Sequence, residues 1–312
     1  MCGIIGLIDY NNEIDSNSIS KMINSIHHRG PNGSNFFLSE NKHIFLGHTR
    51  LSIIDLKDTG SQPFISNSKN YVMTYNGEIY NFKKIKKDLN FSFGKIKWKG
   101  QSDTEVLINS IEHLGLFKTL SLIRGMYAFA LLDKNKNLIY LVRDNVGEKP
   151  LYYGFNEDKF YFGSDLLAFE SNKDFKRNID RNVLDNYFKY NYIGSPKSIY
   201  SNIYKLLPGN ILTLDLNKIH LQDLSIKVQE YWSLNDVKEK KFVNNNYNFQ
   251  KKNVKQILTS SVEEQLLSSD TETSVMLSSG IDSSLVTSIA SKIKKNLSTY
   301  SLGFSYQKYD ET

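Results

Sequence analysis

Met1-Cys2-Gly3-Ile4-Ile5-Gly6 opens the chain, and its second residue is the only cysteine among 312 residues. Methionine before a small side chain is a normal substrate for methionine removal, which would make Cys2 the mature N-terminus. One residue would then carry both a thiol and a free α-amine. The amine titrates at about 8 and the thiol at about 8.5, so at neutral pH part of the amine is free to take the thiol proton. That is the logic of an N-terminal nucleophile with its own base. Taken alone, the dipeptide fits equally well a cysteine on a loosely ordered terminus.

The remaining bounds are broad. A chain of 312 residues predicts about two domains. Apolar residues make up 40% and charged residues 23%, as in soluble globular proteins. There is no apolar run of membrane-spanning length and no signal-peptide pattern after Met1, so the expected location is the cytoplasm. A lone cysteine excludes an internal disulfide and a thiolate zinc site. The net charge is +6, yet only six of the 39 basic residues are arginine. Lysines spread singly and in pairs (Lys83-Lys84, Lys86-Lys87, Lys240-Lys241) read as solvated faces, so no nucleic-acid partner and no membrane is expected.

The first two-thirds is rich in strands. Ile44–Leu46, Tyr71–Tyr75, Ala128–Leu132, Leu138–Val142, Phe160–Phe162 and Ile211–Leu214 are short β-type runs bounded by Gly, Asn or Lys. Ile19, Met22, Ile23 and Ile26 fall at helical spacing, as do Val106, Leu107, Ile111 and Leu114. The combination predicts α+β sheets covered by helices. After Trp232 the pattern changes. A polar stretch from Lys238 to Lys252 reads as part of a linker. Beyond it, Val254, Ile257, Leu258, Ser261, Val262 and Leu266 form a helical stripe, Ser274–Leu277 reads as a buried strand, and Leu285, Ile289 and Ile293 line a second helix. This is the opening of a parallel α/β domain, and Thr312 lies only about 60 residues into it, too few to close such a sheet.

The strand-to-helix turn Leu277-Ser278-Ser279-Gly280-Ile281-Asp282-Ser283-Ser284 gathers hydroxyls and free amides at a helix N-terminus, a setting that favours anions. Gly280 would permit a backbone conformation and a close approach denied to other residues. A serine-rich helix cap is the plain alternative.

Together the motifs say more than any one of them. Cys2-Gly3-Ile4, His28-Arg29-Gly30-Pro31, Gly47–Asp55, Tyr75–Asn81, Ser102-Asp103-Thr104-Glu105, Gly125–Ala130 and Arg143-Asp144 leading to Gly147–Tyr153 resemble the glutaminase half of glutamine-dependent asparagine synthetases. The Ser278–Ser284 turn resembles the pyrophosphate loop of the same family's ATP domain. All occur in the family's order and span the chain. The resemblance implies an N-terminal-nucleophile sandwich of two antiparallel sheets covered by helices, followed by the start of a parallel-sheet ATP-binding domain. The expected limits are 2–232 for the glutaminase, 233–252 for the linker and 253–312 for the incomplete ATP-binding part.

It also implies roles. Cys2 would attack the side-chain amide of glutamine, with the Asn76 amide and the Gly77 N–H as oxyanion hole. Arg50 would hold the α-carboxylate with its planar fork. Asp103 and Glu78 would take the α-ammonium, and Leu51, Ser52, Ile53 and Ile54 would line the pocket. Leu277, Ser278, Ser279, Gly280, Asp282, Ser283, Ser284 and Leu302 would surround ATP, which implies Mg²⁺. ATP would activate aspartate as an aspartyl-adenylate, and ammonia travelling inside the protein would convert it to asparagine. The partners are therefore glutamine, aspartate and ATP, and the resemblance admits a homodimer.

Local chemistry offers rivals: Arg50 as a surface ion pair, Asp103 as the cap of a helix from Thr104, Asn76-Gly77 as a hairpin turn. Arg29, Gly30, Pro31, Asp144, Lys149 and Pro150 are assigned to loop architecture, and His28 and His48 to structure, since no metal-type spacing surrounds them. Three departures from the family pattern stand out: Ser279 in place of a second glycine, Asn32 in place of an aspartate, and Leu207-Pro208 in place of Pro-Pro. Two other functions stay open, an amidotransferase acting on another carboxylate, as in surface-polysaccharide or antibiotic synthesis, and a non-catalytic regulatory remnant.

Overall fold

The computed structural model describes residues 1–238 and 246–306. The chain forms two compact units, Met1–Val237 and Lys238–Thr312.

The order of the first unit starts with its N-terminal strand. In β1 (Gly3–Asp9) every residue is buried. β1 pairs antiparallel with β3 (Ile44–Arg50) on one side and with β9 (Lys159–Gly163) on the other. β2 (Gly33–Leu38), β8 (Tyr152–Asn156) and β10 (Ile203–Lys205) complete a six-stranded sheet in the order β10-β8-β9-β1-β3-β2. The second six-stranded sheet contains β4 (Phe64–Ile65), β5 (Tyr71–Ile79), β6 (Gly125–Asp133), β7 (Leu138–Arg143), β11 (Asn210–Asp215) and β12 (Ile226–Glu230), in the order β12-β11-β7-β6-β5-β4.

The central strands of both sheets are covered on both faces, which is why they read as apolar runs rather than as alternating ones, while the edge strands β2 and β12 are largely exposed. Alternate residues serve different cores. Ile4 and Ile8 face the other sheet, meeting Val72, Ala128, Ala130 and Leu132. Ile5 and Leu7 face outward to Ile19, Met22 and Ile23 of α1 (Ser16–Ser25) and to Ala168 and Phe169 of α5 (Leu167–Glu170). On the second sheet Met73, Tyr75, Tyr127, Phe129 and Leu131 face three helices, α2 (Phe82–Phe93), α3 (Asp103–Leu114) and α4 (Leu116–Leu122). The layers are therefore helix, sheet, sheet, helix, as the N-terminal-nucleophile resemblance implied. Each fully buried Leu, Ile or Phe contributes roughly 1.5–3 kcal/mol, so three such cores hold the scaffold rigid around any site at its rim.

β4 is only two residues long and pairs with Met73 and Val72 alone. The later half of β5, from Tyr75 to Ile79, therefore has no strand on that side, and its outward N–H groups need other partners.

α6 (Leu184–Tyr190) and α7 (Leu234–Lys238) complete the helices before residue 239. α8 (Tyr247–Ser268) begins inside the stretch expected to be a linker, because Asn246 caps it by accepting from the N–H groups of Asn248 and Phe249. α7 also lies within that stretch, and residues 239–245 lie outside the described residues. β13 (Ser274–Met276) pairs parallel with β14 (Ser298–Tyr300), and α9 (Ile281–Ile293) connects them. The parallel arrangement matches expectation, but the expected burial does not. Met276 is 67% exposed and Ile257 of the α8 stripe 68%, since a two-stranded sheet with two helices cannot cover both faces. Among the described residues no helix is long and apolar enough to cross a membrane.

Candidate active site

Cys2 precedes β1, opposite the end of β3. Its Sγ accepts the Leu51 N–H at 3.3 Å and lies 3.6 Å from the Leu51 carbonyl. The Arg29 Nε donates to the Cys2 carbonyl at 3.2 Å. Burial pushes the Cys2 thiol up, opposed by the Leu51 N–H and the neighbouring ammonium. A thiol held that way needs a base beside it to act as a nucleophile at neutral pH. In this chain the α-amine belongs to Met1. Burial pushes that amine down, while Cys2 opposes the shift and the Arg29 and Lys149 charges reinforce it.

The exposed edge of β5 supplies the opposite wall. Tyr71, Tyr75, Gly77 and Ile79 share one parity, and antiparallel alternation sends their N–H groups to the same side. The Tyr75 N–H donates to Gln62 Oε1 at 2.7 Å and the Ile79 N–H to Asp103 Oδ2 at 3.0 Å. Gly77 lies between them. It pairs with Tyr127, whose own N–H and carbonyl are both taken by Asp144. The Gly77 N–H therefore points away from β6 into the pocket, and no partner is seen for it among the described residues. The next side chain, Asn76, faces the sandwich interior with Thr74, whose hydroxyl bonds the Gly47 carbonyl across the sheets. Asn76 is buried, and its Nδ2 has no hydrogen-bond partner among the described residues. Two adjacent donors thus lack acceptors at the pocket wall, a costly arrangement unless a ligand supplies one.

Asn76-Gly77 is therefore not a hairpin turn. It sits inside β5, and glycine is required there by proximity: a Cβ would lie 2.4 Å from the Met126 carbonyl and 2.8 Å from Tyr127 Cα. Nor does Asp103 cap a helix from Thr104. α3 begins at Asp103, and Ser102 caps it by accepting the Glu105 N–H. This frees Asp103 for the pocket, where Oδ2 accepts the Tyr75 hydroxyl at 2.7 Å and Oδ1 the Thr104 N–H at 2.9 Å. Burial pushes the Asp103 carboxyl up against these three donors, and burial together with Asp103 pushes Glu78 up while Lys149 pulls it down.

Arg50 ends β3 and is gripped by the loop that follows. Nη1 donates to the Lys57 carbonyl at 2.8 Å, and Nη2 to the carbonyls of Asp55 and, at 3.5 Å, Ile54. It is not a surface ion pair. Three bonds to carbonyls leave two of its five N–H groups uncommitted.

One pocket gathers Cys2, Arg50, Leu51, Ile53, Ile54, Asn76, Gly77, Glu78 and Asp103. Ser52 is not on its wall; its N–H is held by Asn32 Oδ1 at 3.0 Å, so Asn32 acts through its carboxamide oxygen. The same wall includes Gln62, Tyr75, Thr104 and Lys149, which the sequence motifs do not mark as site residues. Gln62 follows no motif, and it links Tyr75 N–H to the Thr104 hydroxyl through its own amide. Lys149 belongs to a motif, but one that reads as loop architecture. His48 behaves as a structural histidine, buried and bonding the Tyr75 carbonyl through Nε2 at 3.1 Å.

In the second unit the Ser278 and Ser283 hydroxyls bond each other at 2.9 Å, and Ser283 and Ser284 bond the Gly280 carbonyl. Gly280 has φ −71° and ψ 150°, so it does not use glycine's special conformations. Its role reduces to room, since a Cβ would come 3.3 Å from the Ser278 hydroxyl. Ser279 is not among the positive-φ residues, so serine fits there without strain. The turn at this helix N-terminus, with exposed Ser279, Gly280, Asp282 and Ser284, suits an anionic phosphate. Leu277 donates its N–H to Tyr300 at 2.8 Å, and Leu302 is 63% exposed beyond β14.

Residues 1–232 match the model of the glutamine amidotransferase domain and residues 253–312 that of asparagine synthase. A Methanocaldococcus jannaschii protein named putative asparagine synthetase (glutamine-hydrolyzing) 2 is 34% identical over all of this chain and 61% of its own length. Asparagine synthetase (glutamine-hydrolyzing) 1 of Bacillus subtilis is 31% identical over all of this chain and 47% of its own. The chain thus spans about half to three-fifths of these relatives. A solved structure of glutamine phosphoribosylpyrophosphate amidotransferase from B. subtilis superposes with a TM-score of 0.52 at 18% identity, covering 98% of this chain and 67% of that one, which supports the fold alone. The chain belongs to the glutamine amidotransferase domain family over residues 1–232, and its residues 253–312 match asparagine synthase.

Proposed function

We propose that the first unit is a cytoplasmic glutaminase with Cys2 as its nucleophile. After Met1 is removed, the Cys2 amine takes the thiol proton and the thiolate attacks the side-chain amide carbon of glutamine. The Asn76 Nδ2–H and the Gly77 N–H receive the oxyanion. The Cys2 ammonium then protonates the departing nitrogen, releasing ammonia and leaving a glutamyl thioester. Water, deprotonated by the same amine, hydrolyses the thioester to glutamate. Arg50 holds the α-carboxylate of glutamine, while Asp103 and Glu78 receive its α-ammonium.

The observation that carries this reading is a pair of neighbouring donors without acceptors among the described residues, Asn76 Nδ2 and the Gly77 N–H that β5 turns away from β6, in the same pocket as the Cys2 thiol. One such donor is typically worth about 3 kcal/mol in the transition state. The test is ammonia and glutamate release from glutamine by purified protein whose mass shows Met1 removed. Cys2→Ala should abolish release, and an active protein that retains Met1 would refute the free-amine mechanism.

For the second unit we propose that ATP and aspartate are the substrates. Ser278, Ser279, Gly280, Asp282, Ser283 and Ser284 would meet the phosphates, Leu277 and Leu302 would flank the nucleotide, and Mg²⁺ would ride on the phosphate oxygens. The aspartate side chain, activated as an adenylate, would accept the ammonia and become asparagine. The asparagine synthase match and the open helix N-terminus support this reading. We assign 2–232 to the glutaminase and 253–312 to the ATP-binding part, with a junction between them.

A further inference from the structure

Lys149 is the buried cation that the chemistry above does not use. It is 5% exposed, yet no carboxylate of the described residues lies within 4.0 Å of its ammonium. The polar neighbour of Nζ is Met1 Sδ at 3.3 Å, a thioether that leaves with Met1. An unpaired buried ammonium is expensive, and a methionine would fill the same volume without that penalty. The loop that delivers it is tightly fixed. Asp144, itself fully buried, accepts the N–H groups of Val146, Glu148 and Lys149 at 2.9–3.1 Å and that of Tyr127 at 3.2 Å. The Arg143 Nε holds the Lys149 carbonyl at 2.8 Å. The backbone on both sides of Lys149 is therefore pinned, and its side chain reaches the wall that also carries Cys2 and Glu78.

We propose that Lys149 is a positioning residue of the glutaminase centre, its ammonium repelling protons from the amine and thiol of Cys2 and keeping Glu78 a carboxylate. The inference rests on the glutaminase reading. Charges facing Cys2 include the terminal ammonium, Arg50 and Asp103, besides Lys149; Arg29 and Glu78 join Lys149 in facing the α-amine of Met1, and Lys149 also faces Glu148 and Asp144. The Arg50 and Arg29 donors are partly committed to carbonyls, whereas Lys149 has no such commitment once Met1 is gone. Burial pushes the Lys149 ammonium down and Glu78 opposes that shift, so the two groups support each other's charge.

The test uses the full chain with Met1 removed, as wild type, Lys149→Met and Lys149→Arg. Two profiles against pH are read: kcat/KM for glutamine, and the rate of iodoacetamide alkylation, which reports Cys2 alone because the chain has no other cysteine. Lys149→Met should move both acidic half-points up by roughly half a unit and lower kcat/KM about threefold on that limb. Lys149→Arg should restore both. Unmoved half-points in Lys149→Met, or a rate loss that arginine does not restore, would overturn the proposal and leave Lys149 a packing residue. A wild-type chain that alkylates but releases no ammonia would instead refute the glutaminase reading, and the alkylation profiles still decide the role of the Lys149 charge.

Discussion

Asn76→Ala separates catalysis from stability more cleanly than any other substitution at this site. Asn76 is 1% exposed, and its Nδ2 has no hydrogen-bond partner among the described residues. Removing a buried donor that is already unsatisfied recovers about 1–3 kcal/mol of desolvation, against a packing loss of similar size for the missing atoms. The net change in stability should stay within about 1 kcal/mol, a shift of roughly 2–4 °C in Tm for a unit of this length. The same side chain is asked to bind an oxyanion that exists only in the transition state. Its loss should lower kcat for glutamine hydrolysis by about 10²–10³ with little change in KM. Steady-state ammonia release and thermal unfolding on the same preparation check both halves. A variant with near-normal kcat and a raised KM would place Asn76 in ground-state binding. A large drop in Tm would mean that its Nδ2 has a partner and supports the fold instead.

The remaining predictions use the packing around the same strand. In Gly77→Ala the new Cβ meets backbone of β6 at 2.4 Å, so β5 and β6 must separate; Tm should fall by an amount matching about 1–3 kcal/mol, and kcat should fall with the displaced N–H. Unchanged Tm and kcat would refute the pairing of Gly77 with Tyr127. Burial pushes the His48 imidazole down to about 3, with the Tyr75 carbonyl opposing and Arg50 adding. Between pH 6.5 and 3 the unfolded chain binds a proton that the folded one does not, so stability falls with acidity by about 1.4 kcal/mol per pH unit from this group. His48→Gln should be less stable at neutral pH and should flatten the Tm profile between pH 6 and 4; an unaltered slope would show that His48 protonates in the fold.

The residues that were legible in the sequence are those whose signal is local. β3 and β6 read as strands because both of their faces are buried and they carry apolar runs, whereas the equally buried β1 did not stand out beside the cysteine that precedes it. α2 gave less signal, since Phe82, Ile85 and Leu89 are interleaved with lysine pairs that read as surface. The Asn76-Gly77 dipeptide was ambiguous because a hairpin turn and a strand backed by a close neighbour both call for glycine. Only the pairing with Tyr127 decides between them. Gln62 and Lys149 reach the pocket from the stretch before β4 and from the β7–β8 loop, and nothing local to either announces the other. The helix stripe of α8 was correctly periodic but not covered, which periodicity alone does not reveal.

The central claim is that Cys2, freed of Met1, forms a glutamyl thioester. Acid quench of the wild-type chain during turnover with glutamine, followed by digestion and mass analysis, tests it directly. The account predicts one glutamyl group on the peptide that begins with Cys2, discharged by hydroxylamine and absent from Cys2→Ala. Ammonia release without any adduct on that peptide, or equal release by Cys2→Ala, would contradict it.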